Sequence, residues 1–177
     1  MAAAVLAGLF AVGWILQKIG GFALVGVNRG IFFRGEYKEG KKLREGLTLR
    51  SSASVPDIMR ELDTYVCAVE APLGFSNVVY IAARSDRGIA WAFGNVSNVK
   101  LEAVIATSAE GSGTEAAFMV TRWSEEDGLV EAVDALKALR MQVIAAFRAA
   151  DPAVSITEGL DEQRVLTQFA GVFETAG

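Results

Sequence analysis

The pattern of apolar and polar positions divides the chain into an apolar start, a glycine-rich connector and a patterned body. Residues 1–20 form the apolar start, and residues 2–16 within it contain no charged side chain. Glycines recur through the basic connector at 21–46, which favours irregular structure over a helix. Alternating and helical patterns then predict one folded domain over 47–150, followed by a helical tail over 151–177.

The body begins with a predicted strand and a predicted helix. Apolar and polar residues alternate over 47–51, which is typical of a half-buried strand. Ser54 and Asp57, with Pro56 between them, have the spacing of a helix N-terminus, and the apolar helical period continues to about Cys67. Four further strand patterns follow, separated by turn residues, at 77–83, 89–93, 99–107 and 114–123.

The most regular helical pattern lies near the C-terminus. Ser124 and Asp127 have the spacing of a capping box, and three acidic residues there suit the positive end of a helix dipole. The pattern therefore predicts a helix that begins at Ser124 and ends before the Asp-Pro pair at 151–152. Arg140 interrupts its apolar stripe. A last helix is predicted over residues 160–173.

This order of elements predicts an α+β fold. We expect an antiparallel sheet of about five strands packed on a long C-terminal amphipathic helix, with an apolar, transmembrane helix before it. The order over residues 46–150 is similar to the helix-grip folds of lipid-transfer and polyketide-cyclase-like domains. In those folds a curved sheet wraps the long helix, and the resemblance implies a ligand cavity between the two. The chain has fewer strands than those folds, and a ferredoxin-like or other open-faced sheet is the competing architecture.

The apolar start predicts a single-pass membrane anchor. As a helix it would extend about 28 Å, close to the ~30 Å of a bilayer's hydrocarbon core. Trp14 and Lys18 would lie at the membrane interface, where an indole ring and a long cationic side chain are favoured. Residues 1–50 carry eight basic and three acidic side chains. The positive-inside rule therefore predicts a cell-membrane protein with the bulk of the chain in the cytoplasm. Alternatively, residues 2–19 form a buried helix or an oligomer contact.

Composition restricts the chemistry. The chain has no histidine and a single cysteine, which excludes histidine-dependent triads, the common zinc and non-haem iron sites and an internal disulfide. Residues 51–177 carry nine basic and eighteen acidic side chains, a poor match for nucleic acid. Glu125, Glu126 and Asp127 lack the spacing of a calcium loop and suit a helix N-terminus better. We therefore expect no catalytic residue set, no cofactor and no metal site.

Aromatic residues on the predicted strands are the candidate binding residues. They are Tyr80, Trp91, Phe93 and Phe118, with Trp123 at the end of the last strand. The first four are the predicted ligand-binding residues, and the competing interpretation is that they fill the core. Cys67 is expected to behave as a small hydrophobe at the apolar edge of the first helix.

These patterns together predict a membrane-anchored, non-enzymatic binding domain. Its expected partners are membrane lipid and either a protein or an apolar small molecule. The alternative function is that of a soluble, helix-grip-like carrier of lipid or another small molecule, or of a soluble enzyme.

Overall fold

The computed structural model of this chain describes residues 40, 42–72, 74–126 and 129–160. A short helical turn over 42–44 leads into the first strand. The elements that follow are β1 Leu47–Ser51, α1 Val55–Tyr65, β2 Val78–Ser85, β3 Gly88–Asn95, β4 Asn98–Glu110, β5 Gly113–Trp123, β6 Glu125–Glu126, β7 Leu129–Val130, α2 Val133–Ala150 and β8 Ser155–Glu158.

Six strands form one antiparallel sheet in the order β2-β3-β4-β5-β1-β8. The predicted α+β class, the antiparallel sheet and the long C-terminal helix are confirmed. The sixth strand is β8, which was not predicted from the sequence. It pairs with β1, so that Ile156 lies opposite Leu49, and it adds residues of the predicted tail to the sheet edge.

One apolar core joins both helices to one face of the sheet. Alternation along the strands directs every second side chain into this core, as with Ala116 and Phe118 of β5. Trp91, Phe118 and Phe147 are among its largest fully buried side chains. The space between the sheet and α2 is therefore filled by the chain's own side chains.

Helix α1 begins as its sequence predicts. Ser54 is the N-cap, and its hydroxyl oxygen accepts a hydrogen bond from the Asp57 N–H at 3.4 Å. The helix ends at Tyr65, so Cys67 falls in the irregular segment after it. The Cys67 side chain is exposed, and the expectation that it packs as a small hydrophobe is wrong.

Helix α2 begins nine residues later than predicted, at Val133 rather than Ser124. Residues 125–126 and 129–130 pair as a two-stranded hairpin instead. The Ser124 hydroxyl does not cap a helix, because its single proton lies between two acceptors, Glu131 Oε2 at 2.5 Å and the Lys100 carbonyl at 3.2 Å. The predicted capping box was therefore wrong, and its second member, Asp127, lies outside the described residues.

Several predictions fall on parts of the chain outside the described residues. These are the membrane anchor with Trp14 and Lys18, the connector up to residue 39 and the last helix beyond residue 160. Within the described residues, no helix is long and apolar enough to cross a bilayer.

Candidate functional site

A cleft of about 510 Å³ opens at the end of the sheet where β1 begins and β5 and β8 end. Its walls are residues 44–46 before β1, residues 159–160 after β8, and Met119, Val120 and Trp123 of β5. This volume lies within the range of small-molecule sites.

The cleft exists because β5 is longer than its neighbour. Pairing between β1 and β5 stops where Leu47 lies opposite Phe118, whereas β5 continues to Trp123. The chain before β1 passes Gly46, where an added Cβ would overlap the Leu160 side chain and lie 2.8 Å from the Phe118 carbonyl. Only glycine fits there without displacing these neighbours. The Gly46 carbonyl also accepts a hydrogen bond from the Gly159 N–H at 2.8 Å, which joins two walls of the cleft.

Trp123 is the most prominent apolar side chain of the cleft, and two neighbours fix its position. The Arg44 guanidinium lies over the indole ring, 4.5 Å from its centroid, in a cation–π contact. Glu125 Oε1 accepts a hydrogen bond from Trp123 Nε1 at 3.0 Å and one from Arg44 Nη1 at 2.9 Å. Trp123 is nevertheless 38% exposed. It therefore offers a rigid apolar surface to the cleft while its polar atom is already bonded.

Arg140 of α2 holds the backbone that forms one wall of the cleft. It is only 6% exposed, and its Nη1 donates to the Glu45 carbonyl at 2.7 Å and to the Leu43 carbonyl at 3.2 Å. Its Nη2 lies 3.5 Å from Glu158 Oε1, at the end of β8. Burial lowers the pKa of Arg140, and the nearby Glu158 and Glu45 carboxylates oppose that shift. Arg140, which interrupts the apolar stripe of the predicted helix, therefore links α2 to the chain before β1 and to the end of β8.

The four predicted binding residues lie elsewhere. Trp91 and Phe118 are core residues, and Phe93 is partly buried against the same core. Tyr80 is half-buried and alternates to the opposite face of the sheet. The structure thus does not gather these four residues into one pocket, and the two core residues offer a ligand no surface unless the core opens. Their role in binding stays a prediction.

Sequence reasoning missed the residues that form the cleft. Trp123 stands outside the four predicted binding residues, and Arg44 lies in the predicted connector. One usable signal was the position of Trp123 at the end of a strand, where a large ring is covered less completely than in mid-strand.

The cleft suits binding of an apolar group. Arg44, which lines it, and Arg140, which lies behind its wall, already bond to protein oxygens. Among the described residues, no group of three or more acidic or cysteine side chains is arranged to hold a metal ion.

Comparison with known proteins gives no family for this chain. No family model matches it, and no curated protein matches it. Among solved structures it is similar to the Aha1 dimer from Colwellia psychrerythraea, with 12% identity and a TM-score of 0.41, over 60% of this chain and 96% of that one. It is also similar to protein Ms6760 from Mycobacterium smegmatis, with 14% identity and a TM-score of 0.32, over 63% of this chain and 87% of the other. Similarities at this level establish neither a family nor a function.

Proposed function

We propose that this protein is a membrane-tethered binding domain whose cleft receives an apolar group of a small-molecule ligand. Residues 2–19 are the tether, and the rest of the chain faces the cytoplasm. The observation that carries the proposal is the cleft itself, a recess of about 510 Å³ in which the Trp123 ring is held rigid and partly exposed.

The chemistry of the cleft favours an apolar occupant. Met119, Val120 and Trp123 supply apolar surface, and covering such surface is worth roughly 25 cal/mol per Å² removed from water. The charge of Arg44 is already paired with Glu125 at 2.9 Å. A ligand can therefore cover the indole ring without leaving an unpaired charge behind.

The filled core favours a surface cleft over an interior cavity. In the helix-grip resemblance, the ligand would lie between the sheet and the long helix. Trp91, Phe118 and Phe147 occupy that layer and are fully buried. An interior ligand would have to displace these side chains at a cost of several kcal/mol each, which argues against the carrier alternative.

The arrangement also favours binding over catalysis. The chain contains no histidine. The Glu125 carboxylate, a candidate base beside the cleft, accepts hydrogen bonds from both Arg44 and Trp123. Oε1 of that carboxylate is therefore already engaged by two protein donors.

The tether rests on the sequence of residues 2–16, which contain no charged side chain, and on the basic residues after them. Its test is fractionation of cells that express the full chain. We expect the protein to remain in the membrane pellet after carbonate washing. Recovery in the soluble fraction would overturn the tether and favour the alternative in which residues 2–19 are buried or form an oligomer contact.

The cleft is tested with a photoreactive ligand. The full chain in lipid nanodiscs is irradiated with a diazirine-bearing fatty acid, and the adducts are mapped by mass spectrometry. We expect adducts on residues 119–123 and 159–160, a several-fold loss of them in Trp123→Ala, and no loss in Met141→Ala, whose side chain is exposed on α2. Circular dichroism checks that both variants are folded. If the yield of adducts on these residues is the same in Trp123→Ala as in the wild type, the cleft is not the binding site.

A protein partner is the second candidate occupant, because β5 extends beyond β1. An extended peptide could pair with residues 119–123 as an added strand. Such a strand would protect the backbone amides of this segment from hydrogen exchange. A small ligand would cover the Trp123 ring but leave exchange of these amides unchanged, and this difference separates the two candidates.

A further inference from the structure

Two large apolar side chains at one end of the sheet are exposed. Phe75, in the loop before β2, is 85% exposed, and Val96, in the turn between β3 and β4, is 68% exposed. Exposed apolar residues are common singly, but two large ones on adjacent loops are typical of a contact surface.

The backbone beneath these two side chains is held in place by Asn95. Its Nδ2 donates to the Phe75 carbonyl and to Asn77 Oδ1, each at 3.2 Å. Its Oδ1 accepts from the backbone N–H groups of Ser97 and Asn98, each at 2.9 Å. One side chain therefore fixes the loop that carries Phe75 and the turn that carries Val96, and both apolar groups are presented from a preorganised frame.

The same end of the sheet is where the chain enters the domain. Strands β1, β2 and β4 begin there, and β3, β5 and β8 end there. Arg44, three residues before β1, lies over Trp123 at the end of β5. The 39 residues that precede the described domain, with the uncharged run at 2–16, are therefore joined to it at this end.

This end of the sheet offers no unpaired cation, among the described residues, that would attract an anionic surface. Its described cations are paired with carboxylates: Lys42 with Glu158 at 3.3 Å, Arg44 with Glu125 at 2.9 Å, Lys100 with Glu131 at 2.9 Å, Arg122 with Glu102 at 3.5 Å and Arg140 with Glu158 at 3.5 Å. Binding to anionic headgroups needs unpaired basic residues, whereas insertion at the boundary between headgroups and acyl chains needs exposed apolar side chains. This surface has its charges paired and its apolar side chains exposed, which favours insertion.

We propose that this end of the domain docks on the lipid bilayer, with Phe75 and Val96 inserted at the boundary between headgroups and acyl chains. The inference rests on the proposed tether, because it is the tether at residues 2–19 that brings this end of the sheet to the membrane. Docking would also place the mouth of the cleft next to lipid.

The test measures which positions contact lipid. In a Cys67→Ser background, single cysteines are introduced in the full chain as Phe75→Cys, Val96→Cys and, as a matched control, Ser112→Cys. Ser112 is exposed in the turn between β4 and β5, at the opposite end of the sheet and roughly 40 Å from Val96 along β4. Each cysteine carries an environment-sensitive fluorophore, and the chain is reconstituted in phosphatidylcholine vesicles with and without bromine-labelled acyl chains.

We expect brominated lipid to quench the labels at 75 and 96 and to leave the label at 112 unchanged, equally at low and high salt. If the chain floats with the vesicles but neither of the two labels is quenched, docking is overturned while the tether stands. Quenching at all three positions, or quenching that high salt abolishes, also overturns it. If the chain does not float with the vesicles, the tether fails and the docking proposal fails with it.

Discussion

Replacing Arg140 with methionine tests whether one buried side chain holds the walls of the cleft together. The change keeps an unbranched stem of similar reach but removes the donors to the Glu45 and Leu43 carbonyls. It also removes one of the two cations paired with Glu158, whose own side chain is half-exposed and keeps its pair with Lys42.

The expected loss follows from the geometry of these three contacts. Hydrogen bonds from a charged donor contribute about 1.5–3 kcal/mol, and the 2.7 Å bond to Glu45 belongs in that range. The 3.2 Å bond to Leu43 contributes less, and the 3.5 Å pair with Glu158 contributes about 0.5 kcal/mol or less. Burying the charged guanidinium is unfavourable, and this burial lowers the pKa of Arg140. Removing the charge therefore offsets part of the stability lost with the three contacts. We expect Arg140→Met to lower the free energy of unfolding by about 2 kcal/mol, or the Tm by roughly 4–8 °C.

Urea denaturation of the full chain in a mild detergent, followed by circular dichroism, measures this loss. Arg148→Met is the matched control, because Arg148 is an exposed arginine on the same helix and its loss should cost about 0.5 kcal/mol or less. Arg140→Lys keeps the charge but replaces two nitrogens by one, and should lie between the methionine variant and the wild type. Equal stabilities of Arg140→Met and Arg148→Met would refute the reasoning, since the carbonyls would then have adequate partners without Arg140.

Three further predictions test individual features of the fold. Hydrogen bonds to the Asp151 carboxylate, the strongest from the Ser52 N–H, hold its pKa at about 2, below the ordinary 3.8. Because the folded-state pKa is depressed, this stabilisation is present above about pH 4 and is lost as the pH falls through 2. Asp151→Asn should therefore lower the Tm at pH 6 but not near pH 2, and an equal loss at both values would contradict it. Exposed Cys67 should react with a thiol reagent at full stoichiometry without denaturant, and protection in the native state would place it in the core after all. Gly94→Ala should destabilise the domain more than Gly111→Ala in urea denaturation. The backbone angle φ is positive at both sites, but only at Gly94 would an added Cβ overlap neighbouring backbone. Equal losses of stability would mean that strain in φ is the whole effect.

Two similar sequence signals show where local reasoning succeeds and where it fails. Ser54 and Asp57 predicted a helix N-terminus correctly, because every group in that cap lies within three residues and no distant partner competes. Ser124 and Asp127 have the same spacing, but the Ser124 hydroxyl bonds to Glu131 and to the Lys100 carbonyl on β4. Those partners are brought together by sheet pairing, and spacing within the segment cannot reveal them.

The strands and the core were predictable because alternation and burial are local properties. The pattern at 114–123 nearly coincides with β5, and alternation identified Ala116 and Phe118 as members of one face. The cleft was not predictable in this way. Its walls come from three separate parts of the chain, and the Leu43 and Glu45 carbonyls that Arg140 binds have no signature in the sequence. Hydrophobicity also could not separate buried Phe118 from half-exposed Trp123, since that difference depends on where β1 stops.

The two ends of the sheet differ in the polarity of their exposed side chains. At the far end, the β2–β3 turn consists of Asp86 and Arg87, and the β4–β5 turn consists of glycine and Ser112. At the near end, polar side chains are used to fix backbone, as Asn95 and Arg140 do. Apolar side chains there are left exposed on that fixed frame. A preorganised apolar surface loses little conformational entropy on binding, so this end has both the surface and the rigidity that recognition requires.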